Sequence, residues 1–470
     1  MNDPNGCVFY KGVYHLYFQH HPHDNEWGPM HWGHAESADL IHWEEKDIAL
    51  YPSKKLGMAF SGSAVVDDDN LSGFFPEGEG LLAYYTNHLE QEDGIPGLQQ
   101  QSLAWSSNEG LTWNEYENNP IIKNPGLVDF RDPKVFYHEL SKRWIMVLSG
   151  GYSVLFYSSD DLLLWEKSGE INIGNSFGVV ECPDLFPVKT ESGRLVWLLT
   201  VSFLSTMSPD LPTVRYFPGD FNGTTFTPFS GIKEGLVSDY GRDFYAAQSW
   251  SGIPQADGRK IWIGWCNHWE YSNQIPTQPW RGVMSIPREL FLDENEVIPV
   301  LKQLPVEEFK ALRKSTESIR DINDDGFVLP LDPDLSHEFI IKVQKPAECD
   351  FIIFFNYLKK EKWKLEWHSK EALLELDRSS LVSSGFNNLF IKTSVVEVTD
   401  LKEGPSNQEL DLRIILDRSI VEIFILGGKF VMTSQIFPSY PLVSLTVSTV
   451  CGGRIREFIH HTLDSIWLDK

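Results

Sequence analysis

Three acidic residues sit just ahead of a proline: Asp3 in Asn2-Asp3-Pro4-Asn5-Gly6, Asp132 in Arg131-Asp132-Pro133, and Glu181 in Glu181-Cys182-Pro183-Asp184. A proline within two residues restricts the backbone around it and helps hold the acid in place. Glycoside hydrolysis needs two carboxyl groups in different protonation states. In a retaining reaction one attacks the anomeric carbon and the other protonates the leaving oxygen, at a separation of roughly 5–5.5 Å. Asp3 suits the ionised attacker, because amide side chains and turn residues flank it as hydrogen-bond donors. Glu181 follows the apolar pair Val179-Val180, where partial desolvation favours the protonated form of an acid. Asp132 beside Arg131 suits a carboxylate kept charged to hold sugar hydroxyls. Each motif alone reads more simply as a turn; the inference requires all three to meet in one pocket.

Acids so far apart in sequence converge only if the fold gathers distant strands at one place. The first 300 residues read as short strands bounded by Gly, Pro, Asn or Asp, among them Gly12–Phe18, Gly80–Tyr85, Arg143–Leu148, Leu195–Val201 and Lys260–Trp265. A repeat runs through them. Ser37-Ala-Asp-Leu-Ile-His-Trp43 matches Ser158-Ser-Asp-Asp-Leu-Leu-Leu-Trp165, Ser106-Ser-Asn-Glu-Gly-Leu-Thr-Trp113 is a looser copy, and Phe221-Asn-Gly-Thr-Thr-Phe226 occupies a similar place. Each copy follows a strand and fits the turn into the outer strand of a four-stranded unit. Such units set around an axis make a β-propeller. Four visible units and the segment near 245–295 predict five blades, with the acids at one axial mouth.

The organisation changes near residue 300. Leu304–Arg313 reads as a linker with a short helical piece, and β-rich runs return at Phe339–Val343, Asp350–Phe355, Leu412–Leu416 and Ser419–Phe424. Strands without intervening helices predict a β-sandwich. The expected domains are a propeller over 1–300, a linker over 301–318 and a sandwich over 319–470, the last a support. The chain carries 40 basic and 66 acidic side chains, a net charge of −26. That field disfavours nucleic acid and anionic membranes and suits a small neutral substrate. Five scattered cysteines form no metal or disulfide pattern, and no run of apolar residues spans a bilayer. His20, His21, His23, His31 and His34 cluster without zinc spacing and read as structural histidines.

With these motifs in order, the chain resembles glycoside hydrolase family 32, the invertases, exo-inulinases, levanases and related fructosyltransferases. Asn2–Gly6 looks like that family's nucleophile motif, Arg131–Pro133 its transition-state-stabiliser motif and Glu181-Cys182 its acid/base motif. Tyr17-Phe-Gln-His20, Trp27–Gly33, Phe60–Ser63, Asp239–Ala246 and Trp280–Glu289 match as well. The resemblance implies a five-bladed propeller with a C-terminal β-sandwich. It also implies release of terminal fructose from sucrose, inulin or levan through a fructosyl-enzyme, with a fructosyltransferase or a non-catalytic fructan-binding protein as alternatives. Asn2, Gln19, Trp27, Phe60, Ser61, Arg131 and Asp132 are implied to line the fructose pocket, with Asp239 and Trp269 at its rim. No metal or organic cofactor is implied. The family carries a strand and a Trp before the Asn-Asp-Pro motif, where only Met1 stands here; the expectation is a shortened sequence of an extracellular protein without its leader, with a cytoplasmic placement as the alternative.

Overall fold

Runs of β-branched and aromatic residues broken by tight turns give a chain of antiparallel strands. Helical structure among the described residues is confined to short 3-10 turns such as Ser272–Gln274 and Glu307–Leu312. The computed structural model describes the chain apart from residues 77, 93, 175–176, 191, 205–213, 295–297, 323–325, 345–349, 403–408, 451–453 and 468–470. Cys349 and Cys451 thus lie outside the described residues. Contacts divide the chain into two compact units: 1–237, 245–265 and 278–301 form the first, and 238–244, 266–277 and 302–470 the second.

In the first unit, successive strands pair into meanders. The first sheet runs Pro4–Tyr10, Val13–His20, His31–Ser37, Glu44–Leu50; the second Met58–Asp67, Gly80–Leu89, Leu98–Ser106, Asn114–Glu115; the third Phe130–His138, Arg143–Gly150, Ser153–Ser159, Glu166–Asn172. The fourth runs Val179–Lys189, Leu195–Leu204, Val214–Phe221, Phe226–Pro228, with Leu236–Val237 also beside Val214–Phe221. The fifth runs Tyr245–Ser249, Ile261–Trp265, Arg288–Asp293, Val300–Pro305, the last strand passing the 301 boundary. The leading strands touch one another in succession. The fifth closes on the first, where Phe9 N–H donates to Ser251 O at 2.8 Å and Ser251 N–H to Cys7 O at 3.0 Å. This is the expected five-bladed propeller.

The repeated turn has a common construction. Asp39 Oδ1 accepts the Ile41 and His42 N–H groups, Asn108 Oδ1 that of Thr112, Asp161 Oδ1 those of Leu163 and Leu164, and Asn222 Oδ1 those of Thr224 and Thr225. A left-handed residue follows each acceptor at once: Leu40, Glu109, Leu162 and Gly223 have φ of 65°, 61°, 66° and 99°. The short polar side chain substitutes for missing backbone partners where the chain reverses. Trp43 and Trp113 then donate their indole N–H to Leu40 O and Gly110 O, at 3.0 and 3.1 Å.

Every leading strand also breaks register at its pocket end. The breaks fall between Asn5 and Val8, Ala59 and Gly62, Glu181 and Asp184, and Tyr245 and Gln248; in the third sheet the partner strand shifts between Val147 and Ser149, facing Lys134 and Arg131. Such bulges leave residues unpaired and re-aim their side chains. Four contain a left-handed residue: Gly6 at φ 52°, Asp132 at 64°, Cys182 at 46° and Ala246 at 52°. Only glycine fits at position 6 without rearrangement, because a Cβ there would stand 2.6 Å from Tyr17 Cδ2.

The second unit is the expected β-sandwich. One six-stranded sheet has the order Arg313–Ile322, Arg454–Leu463, Ser336–Gln344, Glu409–Leu416, Ile420–Ile425, Phe430–Gln435. The other has Phe327–Pro330, Leu442–Val450, Asp350–Tyr357, Lys362–His368, Leu373–Asp377, Ser394–Glu397. Burial alternates along Asp350–Tyr357 and Lys362–His368, as period-two strands with one face inward require. Phe339, Leu412, Phe351 and Leu365 belong to one shared core.

Asp161→Ala is expected to destabilise the chain by about 1–2 kcal/mol, since two turn N–H groups lose their acceptor. Asp161→Asn keeps an acceptor oxygen and is expected to lose much less. Urea denaturation midpoints at unchanged slope make the comparison; equal losses in both variants would contradict this construction.

Candidate active site

The bulges bring the three acids together. Asp3 precedes the first strand, and its neighbours are fixed by that strand's partner: Asn2 N–H donates to Gln19 O at 3.1 Å and Gln19 N–H to Asp3 O at 3.0 Å. Asp132 and Glu181 enter from the third and fourth blades. The Cys182 thiol, in the fourth bulge, reaches Asp3 Oδ2 at 3.6 Å and Asp132 Oδ2 at 3.7 Å, and the Cys182 N–H donates to Asp132 Oδ2 at 2.9 Å. One sulfur therefore touches both aspartates.

Asp3 is buried and receives directed donors. Ser61 Oγ donates to Oδ2 at 2.6 Å and Asn2 Nδ2 to Oδ1 at 3.1 Å. Burial nevertheless pushes its carboxyl above the ordinary aspartate range; the Ser61 hydroxyl opposes this and the charge of Glu181 adds to it. Asp132 behaves alike: burial pushes it up to about 7, Arg131 opposes, and Glu181 and Asp3 add to the rise. Protons leave such a cluster in steps that belong to the group rather than to one residue.

Arg131 is the cation of the pocket. Its Nη2 donates to Glu181 Oε1 at 2.7 Å, and its Nη1 to Asp129 Oδ1 at 2.5 Å and Gln99 Oε1 at 3.3 Å, while Nε stands 3.8 Å from Asp132 Oδ2. Burial works against its charge, but Glu181, Asp132 and Asp129 hold the guanidinium above its ordinary value. The other oxygen of Glu181 accepts a short hydrogen bond from the Tyr245 hydroxyl. Burial and the Glu181 charge raise that phenol well above its usual range, so it stays a donor. Burial and the three carboxylates likewise keep Cys182 a thiol.

The walls are mixed. Gln19 is buried and donates to Ala59 O at 3.1 Å. Trp27 is 42% exposed and meets the Phe60 ring edge-on at 5.6 Å, and Phe60 stacks on His88 at 4.4 Å. An exposed indole against a fixed aromatic wall, beside buried amides and carboxylates, fits a ligand with an apolar face and many hydroxyls.

Asn2, Asp3, Gln19, Trp27, Phe60, Ser61, Arg131, Asp132 and Glu181 all belong to the first unit; the contacts above join all but Trp27 and Phe60, and Phe60 precedes Ser61 in the chain. Asp239 and Trp269 belong to the second unit. There Asp239 accepts from Thr433 N–H at 2.8 Å, Thr433 Oγ1 at 2.6 Å and Gly241 N–H at 2.9 Å; Trp269 is half-buried. The sequence motifs assign no role to Tyr245 or to the thiol of Cys182. Both stand inside motifs already recognised, Asp239–Ala246 and Glu181-Cys182, so the signal was present but no role attached to it.

The match to known proteins spans the chain. The family model "Glycosyl hydrolases family 32 N-terminal domain" covers residues 1–303 and "Glycosyl hydrolases family 32 C terminal" covers 308–462. A levanase of Bacillus subtilis (strain 168) is 40% identical over 99% of this chain and 69% of its own length. Invertase 2 of Saccharomyces cerevisiae is 32% identical over 93% of this chain and 87% of its own. The crystal structure of an exo-inulinase from Aspergillus awamori superposes with a TM-score of 0.89 at 31% identity, covering 99% and 96% of the two chains.

The raised pKa of Asp132 makes a stability prediction. A carboxyl with a raised folded-state pKa contributes stability that is fully present below its unfolded value near 3.8 and lost as pH rises through about 7. Asp132→Asn removes that charge. Its thermal midpoint is expected to gain on the native chain's as pH rises from about 5 to about 8, and a pH-independent difference in melting curves would contradict the assignment.

Proposed function

The chain belongs to glycosyl hydrolases family 32 and is a β-fructofuranosidase of sucrose and/or fructans, and from that premise we propose that it releases terminal fructose by a retaining mechanism with Asp3 as nucleophile and Glu181 as acid/base. The observation that carries this reading is the meeting of three carboxyls from three blades around one thiol and one guanidinium. Ser61 and Asn2 aim and stabilise the Asp3 carboxylate, which attacks the anomeric carbon. Glu181 donates a proton to the departing oxygen, then takes one from the water that hydrolyses the fructosyl-enzyme. Its two oxygens are held separately by Arg131 and Tyr245, so its position is set before substrate arrives. Asp132 and Arg131 hold fructose hydroxyls, and Trp27 with Phe60 faces the apolar side of the sugar.

The second unit serves as a support, and the protein acts outside the cell, as relatives named extracellular exo-inulinases do. Among the described residues no helix is long and apolar enough to cross a membrane.

Incubation with sucrose, inulin and levan separately is expected to yield free fructose from at least one. Oligofructosides as the main product at high sucrose would make the chain a transferase instead. Glu181→Gln is expected to lower the turnover of sucrose by about 10²–10⁴-fold; turnover equal to the native chain's would remove the acid/base assignment. Tyr245→Phe deletes the hydrogen bond that holds one oxygen of Glu181 and is expected to reduce kcat about 10–100-fold with a smaller change in KM.

A further inference from the structure

The histidines of the opening segment read as structural in the sequence, and two of the five have local hydrogen-bond partners: His21 Nδ1 lies 2.9 Å from Glu26 O, and His31 Nδ1 3.0 Å from Pro29 O. His34 differs. Strand pairing sets His15 opposite Glu36 and Tyr17 opposite His34. Residues two apart on a strand share a face, so His34 and Glu36 stand on the side of the sheet to which His15 also points. His15 Nδ1 and His34 Nε2 are 3.1 Å apart, and Glu36 Oε1 lies 3.6 Å from the first and 3.7 Å from the second. We propose that these three atoms form a binding site for one divalent transition-metal ion of zinc type in the first blade.

Zinc bonds to imidazole nitrogen and carboxylate oxygen are about 2.0–2.2 Å, so the corners of its tetrahedron stand about 3.3–3.5 Å apart. The three measured edges bracket that value. A hydrogen bond between the imidazoles explains the shortest edge only. It leaves the Glu36 oxygen facing both ring nitrogens beyond hydrogen-bond length, whereas one cation at the centre satisfies all three donors. The donor set, two imidazoles and a carboxylate, suits zinc and its neighbours rather than calcium or magnesium. The ligands are held firmly. His15 and His34 side chains are 2% and 1% exposed, Tyr17 stacks on His34 at 4.2 Å, and Lys46 Nζ holds the other oxygen of Glu36 at 3.2 Å, leaving Oε1 to the site. Glu36 is 18% exposed, so water reaches the fourth position from its side. Along the strand His15 is four residues from Gln19, about 13 Å. The ion therefore ties two strands of the blade together and takes no part in the sugar chemistry.

The test uses the full chain, stripped with a chelator and titrated with Co²⁺ and then Zn²⁺. The expected result is one equivalent of Co²⁺ with the visible absorption of a tetrahedral site, its displacement by one equivalent of Zn²⁺, and a rise in thermal midpoint with Zn²⁺. Glu36→Gln is expected to keep fructose release from sucrose, which reports an intact fold. It is also expected to lose the cobalt absorption and to bind Zn²⁺ at least about 10-fold more weakly, as changes around metal ligands do. His34→Ala is expected to lose binding altogether. A stripped native chain that binds neither ion saturably, or a Glu36→Gln chain that binds like the native one, overturns the proposal.

Discussion

Three carboxyl groups share one buried pocket, and that arrangement is costly unless each charge is met. Ions removed from water lose several kcal/mol of solvation apiece, and like charges in a medium of low polarity repel strongly. Arg131 meets the cost at the centre. It binds Glu181 and Asp129, and its Nε stands beside Asp132. Ser61, Asn2 and Cys182 supply Asp3 and Asp132 with directed donors. What remains uncompensated appears as the upward shift of Asp3 and Asp132. The site thus holds two aspartates whose carboxyls are both shifted upward by burial, while Arg131 and Tyr245 hold the two oxygens of Glu181.

The same demand explains the backbone. A regular strand sends alternate side chains to opposite faces, and its ladder leaves no N–H free for a carboxylate. The bulges in the five leading strands release such groups. Cys182, left-handed at φ 46°, turns its N–H to Asp132. Asp132 itself takes φ 64° while its own N–H goes to Thr86 Oγ1 at 3.0 Å. A left-handed conformation at a residue other than glycine costs of order 1–3 kcal/mol and survives where neighbours over-determine it. Here the ring of packed blades supplies that constraint.

The second unit buries charge by a different route. Arg378 and Asp243 are fully buried and joined at 2.7 Å. Tyr271 Oη and Gln435 N–H also donate to Asp243, and Arg378 Nε to Phe390 O. Every lone pair used is matched by a donor from the sandwich unit itself, including its segments 238–244 and 266–277, which precede residue 300 in sequence. Removing one partner would strand a buried ion, so this network ties those short segments to the sandwich strands.

The local chemistry was legible in the sequence by itself: the acids ahead of prolines, the repeated polar-to-tryptophan turn, the strand pattern and the change near residue 300. These features depend on residues a few positions apart, where spacing and side-chain type constrain conformation directly. The turn illustrates this, because one Asp or Asn captures N–H groups two to four residues later whatever the rest of the chain does. Tertiary structure alone decided which groups meet. Cys182 touches Asp3 across 179 positions of sequence and Tyr245 reaches Glu181 across 64, and no local pattern encodes such contacts. Bulges were equally hidden, since a register break is a property of two paired strands. Histidine followed the same rule: the crowded run at 20–34 carries no zinc spacing, and His15 meets His34 and Glu36 because antiparallel register, not nearness in sequence, sets which side chains share a face.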